Sequence, residues 1–183
     1  MIILKTVKYI FAICLCIVVF TGDCRAGGAK LHRFDDLKFS MECPADHELQ
    51  KSENTVSVVL SRPGDKQYFR PNIMFSSTPN TNPPIDLNAF FNLVLQNFLK
   101  DANFSIALVE RAKLGGKDSY KLLYTRKAAL KDKHDKVIST KVLQVYIIEP
   151  SRIYVMNYSA AEGDFDGYLA AADEIFRTFK VLS

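Results

Sequence analysis

The sequence predicts an α+β fold, an antiparallel β-sheet flanked by helices in an α/β/α sandwich, and three observations carry that prediction. Runs of alternating apolar and polar residues come in adjacent pairs joined by short turn signals, as in antiparallel hairpins. Only two segments show helical periodicity, one in the middle of the chain and one at its end, so helices do not alternate with strands as a parallel sheet requires. With 183 residues, 48% of them hydrophobic, there is enough apolar material for one domain with a full core.

The amino terminus has the layout of an export leader. Lys5 and Lys8 form a basic n-region, residues 9–21 an apolar h-region, and Cys24-Arg25-Ala26 places small residues at −3 and −1 of a cleavage site. The expected organisation is a signal peptide over 1–26, a tether over 27–36 that carries two glycines, and a single domain over 37–183. Two alternatives compete. Acylation of Cys24 would make a lipoprotein, although Asp23 stands where a lipobox wants Gly or Ala. Retention as an anchor would leave an apolar run shorter than the roughly 20 residues that cross a bilayer. Of the four cysteines, Cys14, Cys16 and Cys24 belong to the leader, which leaves Cys43 alone in the mature domain and gives it no internal disulfide.

Along the domain, Leu37, Phe39 and Met41 alternate on a first strand that Pro44 ends. Leu49 opens a short second strand, and Val56–Leu60 is a stronger one that stops at the turn signal Pro63-Gly64. Asn72–Ser77 is the next strand, and residues 76–84, rich in Ser, Thr, Asn and Pro, predict the longest loop. Asp86 then caps a helix on which Leu87, Phe90, Phe91, Val94, Leu95, Phe98 and Leu99 recur at helical spacing. Phe104–Val109 pairs through Gly115-Gly116 with a strand on which Tyr120, Leu122 and Tyr124 alternate. A charged loop, 128–136, follows.

The last third is the most strongly patterned. Ile138–Ile148 carries apolar groups on both faces, the signature of a covered central strand, and Pro150 presets the turn that returns the chain as Arg152–Ala160. Tyr168, Leu169, Ala172, Ile175, Phe176 and Phe179 then form the apolar face of a closing helix.

In this order, Phe39-Ser40-Met41 with Pro44, the strand Pro71-Asn72-Ile73, the helix 87–101, the hairpin from Gly116 to Tyr120, residues 152–160 and the ending Ile175-Phe176-Arg177-Thr178-Phe179-Lys180-Val181 together resemble the PsbP-like family. That superfamily includes the PsbP subunit of the photosystem II oxygen-evolving complex, a Ran-binding nuclear-import factor and the periplasmic lipoprotein DcrB. The resemblance covers most of the domain, rests on element order rather than a catalytic motif, and implies an accessory or binding role. Where many relatives carry Gly-Trp after the first strand's proline, this chain has Ala45-Asp46-His47 and no tryptophan.

Four groups of residues invite chemistry. Glu162, Asp164, Asp166 and Asp173 fall at positions 1, 3, 5 and 12 of a calcium-loop pattern with Gly167 at position 6, but a strand precedes them and the bidentate Glu is replaced by Asp. Asp164 or Asp166 as a helix cap explains the same residues. Met41, Cys43 and His47 are soft ligands close in sequence, yet three such residues leave a metal's first shell incomplete, and a buried Cys43 is the simpler expectation. His32, His47 and His134 lie in expected tether or loops, and there is neither a Gly-x-Ser-x-Gly, a P-loop nor a dinucleotide glycine pattern, so neither an enzyme nor a cofactor is expected.

The fourth group is basic. The net charge is +4, and between Arg111 and Lys141 cations outnumber acids ten to three. Within it, Arg126, Lys127, Lys131, Lys133 and Lys136 define an expected surface-binding edge. Aromatic interleaving there is thin, which disfavours nucleic acid and leaves a protein partner or an anionic membrane surface, met by a monomer. A second expected function is a small-ligand carrier with an apolar pocket between sheet and helix, lined by Phe90, Phe91, Phe98, Tyr146 and Tyr158; an enzyme whose site is assembled only in space ranks third.

Overall fold

The computed structural model describes residues 28–45, 47–61, 69–81, 83–131 and 137–182, with side chains of 128–131 left aside. Among the described residues, ten strands and two helices follow one another as β1 (Ala29–Phe34), β2 (Phe39–Pro44), β3 (Glu48–Lys51), β4 (Thr55–Val59), β5 (Asn72–Pro79), α1 (Leu87–Leu99), β6 (Phe104–Leu114), β7 (Lys117–Lys131), β8 (Val137–Ile148), β9 (Arg152–Ala161), α2 (Phe165–Thr178) and β10 (Lys180–Val181). Every pairing is antiparallel. One sheet has the order β3-β4-β5-β9-β8-β7-β6, and a smaller one the order β1-β2-β10. Because β9 returns to pair with β5 across the intervening α1, β6, β7 and β8, the last third of the chain closes the large sheet at its centre.

The large sheet carries a core on each face. On one, Phe39, Met41 and Cys43 of β2 and Ile175 and Phe176 of α2 meet Val56, Ile73, Phe75, Val145, Met156 and Tyr158. On the other, α1 lays Phe90, Phe91, Val94 and Phe98 on Leu122, Tyr124, Val142, Tyr146, Ile153 and Val155. Both faces of β8 and β9 are therefore covered, as their apolar residues on alternate sides require. The hairpin between them closes on Pro150-Ser151, with Glu149 and Arg152 exchanging backbone hydrogen bonds of 2.8 and 3.3 Å. Asp86 caps α1, its carboxylate accepting from the Ala89 amide at 2.9 Å.

Several boundaries differ from expectation, each for a reason of backbone pairing. The expected tether over 27–36 contains β1, a strand that apolar alternation could not reveal because its residues other than Phe34 are largely solvated and Leu31 is 62% exposed. Its place is set by pairing with β2. The loop expected at 76–84 starts only at Asn80. Ser77, fully buried in β5, donates its hydroxyl to the Leu37 carbonyl at 2.7 Å and accepts from the Arg152 guanidinium at 2.6 Å. β6 runs past Val109 to Leu114, since an edge strand needs no apolar face once its partner and a glycine turn hold it. The two-residue β10 was not expected at all; it pairs with Ser40 and Phe39.

Tyr158 is fully buried between sheet and α2, and its hydroxyl donates to the Phe165 carbonyl at 2.5 Å. Burial, with Asp166, Tyr168 and Asp164 nearby, pushes this hydroxyl well above the ordinary tyrosine range. The unfolded chain ionises first, near pH 10, so the contribution of Tyr158 is complete below that pH and falls as pH rises through it. The melting temperature followed from pH 8 to 11 is expected to drop at the alkaline end, and less steeply in Tyr158→Phe. That variant should be weaker by about 1 kcal/mol at neutral pH for the lost hydrogen bond.

Candidate functional site

The basic edge sits where α1, β6 and β7 end together. The Phe98 ring lies 4.5 Å from Tyr124 and 4.7 Å from Phe104, which fixes the carboxyl end of α1 over the start of β6. Phe104 stands opposite Arg126 in the β6–β7 register, and the Lys127 amide donates to the Asn103 carbonyl at 2.8 Å. Arg126 is half-buried, its guanidinium 5.9 Å from the Phe104 ring centre, a cation–π contact that anchors the cation without neutralising it. Lys127 and Lys100 are exposed.

This geometry corrects the expected charged loop at 128–136. Arg126, Lys127 and Lys131 belong to β7, where Arg126 stands opposite Thr140 and Lys131 opposite Val137. The register slips between Arg126 and Leu130, a bulge that absorbs extra residues on β7 and lets the strand continue through a polar sequence. Lys133 and Lys136 lie outside the described residues, as do the leader with its cleavage after Ala26, the acylation of Cys24, and His134.

Elsewhere in the basic stretch three cations are paired. Arg111 meets Asp118 at 3.4 Å, Lys117 meets Glu149 at 2.8 Å, and Lys141 meets Asp166 at 3.4 Å while lying 4.7 Å from the Phe165 ring centre. Among the described residues, Lys100, Arg126 and Lys127 stand together at this end in no ion pair, as Lys113 and Lys121 do farther along the β6–β7 hairpin. Apolar groups stand exposed at the same end: Leu99 is 75% exposed and Val137 53%. Neither exposure follows from sequence, because Leu99 belongs to the apolar repeat of α1 and Val137 opens an apolar strand.

The calcium-like residues are dispersed over a strand end and a helix. Glu162 follows β9, Asp164 is the N-cap position of α2 without a side-chain capping bond, and Asp166 sits in its first turn beside Lys141. Asp173 lies on the exposed flank of α2, paired with Arg177 at 3.8 Å. No three acidic, histidine or cysteine side chains among the described residues converge as a metal group. Met41 and Cys43 share a face, as strand alternation predicts, but that face is the core; both are almost wholly buried, and His47 lies beyond Pro44. His32 on β1 stacks on Phe34 at 6.4 Å, with burial and Lys30 lowering its pKa.

The expected apolar pocket is instead filled. Phe91 stacks on Tyr120 at 4.1 Å and meets Tyr146 at 5.7 Å, and Phe90 lies 6.0 Å from Tyr146, so these rings form a continuous core beneath α1. Tyr158 is on the opposite face of the sheet, against Phe165 at 4.6 Å. Strand parity places Tyr146 and Tyr158 on opposite faces, because β8 and β9 pair residue 146 with Val155.

No protein-family model and no curated protein matches the chain. Solved structures do. LpqN of Mycobacterium tuberculosis, described as involved in cell envelope biogenesis, matches at a TM-score of 0.60 and 15% identity over 86% of each chain. The cyanobacterial PsbP of Synechocystis, CyanoP, matches at a TM-score of 0.59 and 13% identity over 87% of this chain and 98% of its own. The Ran-binding protein Mog1p of Saccharomyces cerevisiae matches at a TM-score of 0.50 and 11% identity, over 86% and 97%. Sequence divergence this deep, with element order and coverage kept, is a likeness of fold: the chain has the PsbP-like α+β sandwich.

Proposed function

We propose that this protein is exported and non-enzymatic, and that it serves as an accessory or binding module by resting the end formed by α1, β6, β7 and β8 on an anionic membrane surface. The observation that carries this is the combination at one end of cations without acidic partners, Lys100, Arg126 and Lys127, with the exposed Leu99 and Val137. Each cation near an anionic bilayer contributes about 1 kcal/mol, and apolar side chains among cations suit the headgroup boundary. Export is supported by the order of basic, apolar and small residues over 1–26 and by the envelope role stated for LpqN. An accessory role is in keeping with the Ran-binding description of Mog1p, a neighbour that binds a protein partner.

The test is fractionation of the native host. Membranes washed with rising salt are expected to release the wild-type protein progressively, since surface charges are screened over about 8 Å at physiological ionic strength. A variant with Lys127, Lys131, Lys133 and Lys136 changed to Glu is expected in the soluble fraction before any wash. Arg126 is kept, because its packing on Phe104 also serves the fold. Identical partition of both proteins would refute the proposal, and full-length mass with Met1 retained would refute cleavage.

A further inference from the structure

The large sheet ends on one side in β3, four residues long, and on the other in β6, eleven residues long and mostly exposed. One side of β6 pairs with β7; among the described residues nothing pairs with the other, so a row of its backbone N–H and C=O groups faces solvent. Past the bulge between Ile106 and Leu108 the register with β7 is unbroken to Leu114. On this stretch apolar rows of the sheet run out into solvent. On the α2 side Tyr158, Leu143, Leu123 and Leu108 stand in line across β9, β8, β7 and β6, fully buried at one end and 43% exposed at the other. On the α1 side Val109, also 43% exposed, stands opposite the buried Leu122. Arg111 and Lys113 continue the α1 side, and Glu110 lies on the α2 side opposite Lys121. The contact of Arg111 with Asp118, 3.4 Å between side chains more than half exposed, leaves the guanidinium open to a second carboxylate.

Such an edge is a template for one more strand. A second copy of this chain is the wrong strand. In antiparallel pairing about a two-fold axis normal to the sheet every residue keeps its face, so Arg111 and Lys113 never stand opposite Glu110, the one acid of the stretch, and meet only Val109 or another cation within it. We propose that β6, from Leu108 to Leu114, receives an extended segment of a protein partner as an added antiparallel strand, with apolar side chains against Leu108 and Val109 and acidic ones opposite Arg111 and Lys113. In the partner's own direction the segment reads acidic, any, acidic, any, apolar, apolar. Backbone hydrogen bonds hold it, and the cations that keep β6 from its own copy select it. The bulge separates this stretch from the basic end, so the two surfaces are tested apart.

The experiment is fluorescence anisotropy of the protein with a labelled peptide, Thr-Glu-Thr-Glu-Thr-Val-Val-Thr, which is expected to bind saturably. The same peptide with lysine in place of both glutamates is expected to bind at least about tenfold more weakly, and a variant carrying Arg111→Glu and Lys113→Glu to reverse that preference. N-methylation of alternate peptide residues should abolish binding in the phase whose amides face β6 and spare it in the other, a distinction that charge attraction alone does not make. Sedimentation of the protein without peptide is expected to show a monomer. Absence of saturable binding up to millimolar peptide, equal binding of the glutamate and lysine peptides, indifference to N-methylation in both phases, or a dimer that Val109→Lys dissociates would each overturn the proposal. The wild-type measurements decide the matter even if the charge variant fails to fold.

Discussion

Replacing Phe75 by alanine is expected to destabilise the protein by about 3–5 kcal/mol, the range for a fully buried phenylalanine whose cavity cannot collapse. Phe75 is 1% exposed and stands at the meeting point of three elements: its ring lies 5.7 Å from Phe39 of β2, 6.1 Å from Phe176 of α2 and 6.0 Å from Phe179 at the C-cap of that helix. Strand β5, the small sheet and α2 all lean on it, so none can move inward to fill the gap. Urea unfolding of wild type and variant measures the loss. A cost near 1 kcal/mol would mean that β2 and α2 are not packed on the sheet as described.

The second large effect is expected at Gly115. The β6–β7 turn holds Gly115 at φ 56° and Gly116 at φ 79°, both in the region that favours glycine. At Gly116 a Cβ would meet open space, so alanine there carries only the backbone penalty, about 1–2 kcal/mol. At Gly115 a Cβ would also lie 2.7 Å from the Phe179 carbonyl oxygen, a backbone atom that cannot rotate away. Gly115→Ala should therefore cost more than Gly116→Ala and loosen the end of α2 as well as the turn. Equal thermal melting of the two variants would show that the turn and the helix end do not touch.

The turn glycines, the Pro150 hairpin and the Asp86 cap were legible in the sequence because each rests on local chemistry. The helices and the central strands β8 and β9 were legible because burial writes a period of its own into the residue pattern. What escaped notice was structure held by backbone pairing with solvated side chains: β1, the far ends of β6 and β7, and β10. An exposed edge strand leaves no apolar stripe, and a bulge such as that after Arg126 breaks whatever alternation remains. The site was less legible than the fold. Sequence marked the basic stretch, but ion pairs such as Lys117 with Glu149, 32 residues apart, decide which cations remain available. Tyr158 was assigned to the wrong face because a pocket assembled from aromatic residue types ignores strand parity.

Binding of the protein to vesicles bears most directly on the claim that it works by resting its basic end on a membrane. Vesicles with and without anionic lipid are sedimented with wild type, with the Lys127, Lys131, Lys133 and Lys136 to Glu variant, and with Leu99→Ser. At low salt the wild type is expected to sediment with anionic vesicles and not with neutral ones. The charge variant should bind at least about a hundredfold more weakly, as four cations at roughly 1 kcal/mol each imply, and Leu99→Ser should bind several-fold more weakly. Binding that is equal on both kinds of vesicle, unaffected by salt, and the same in all three proteins would contradict the claim.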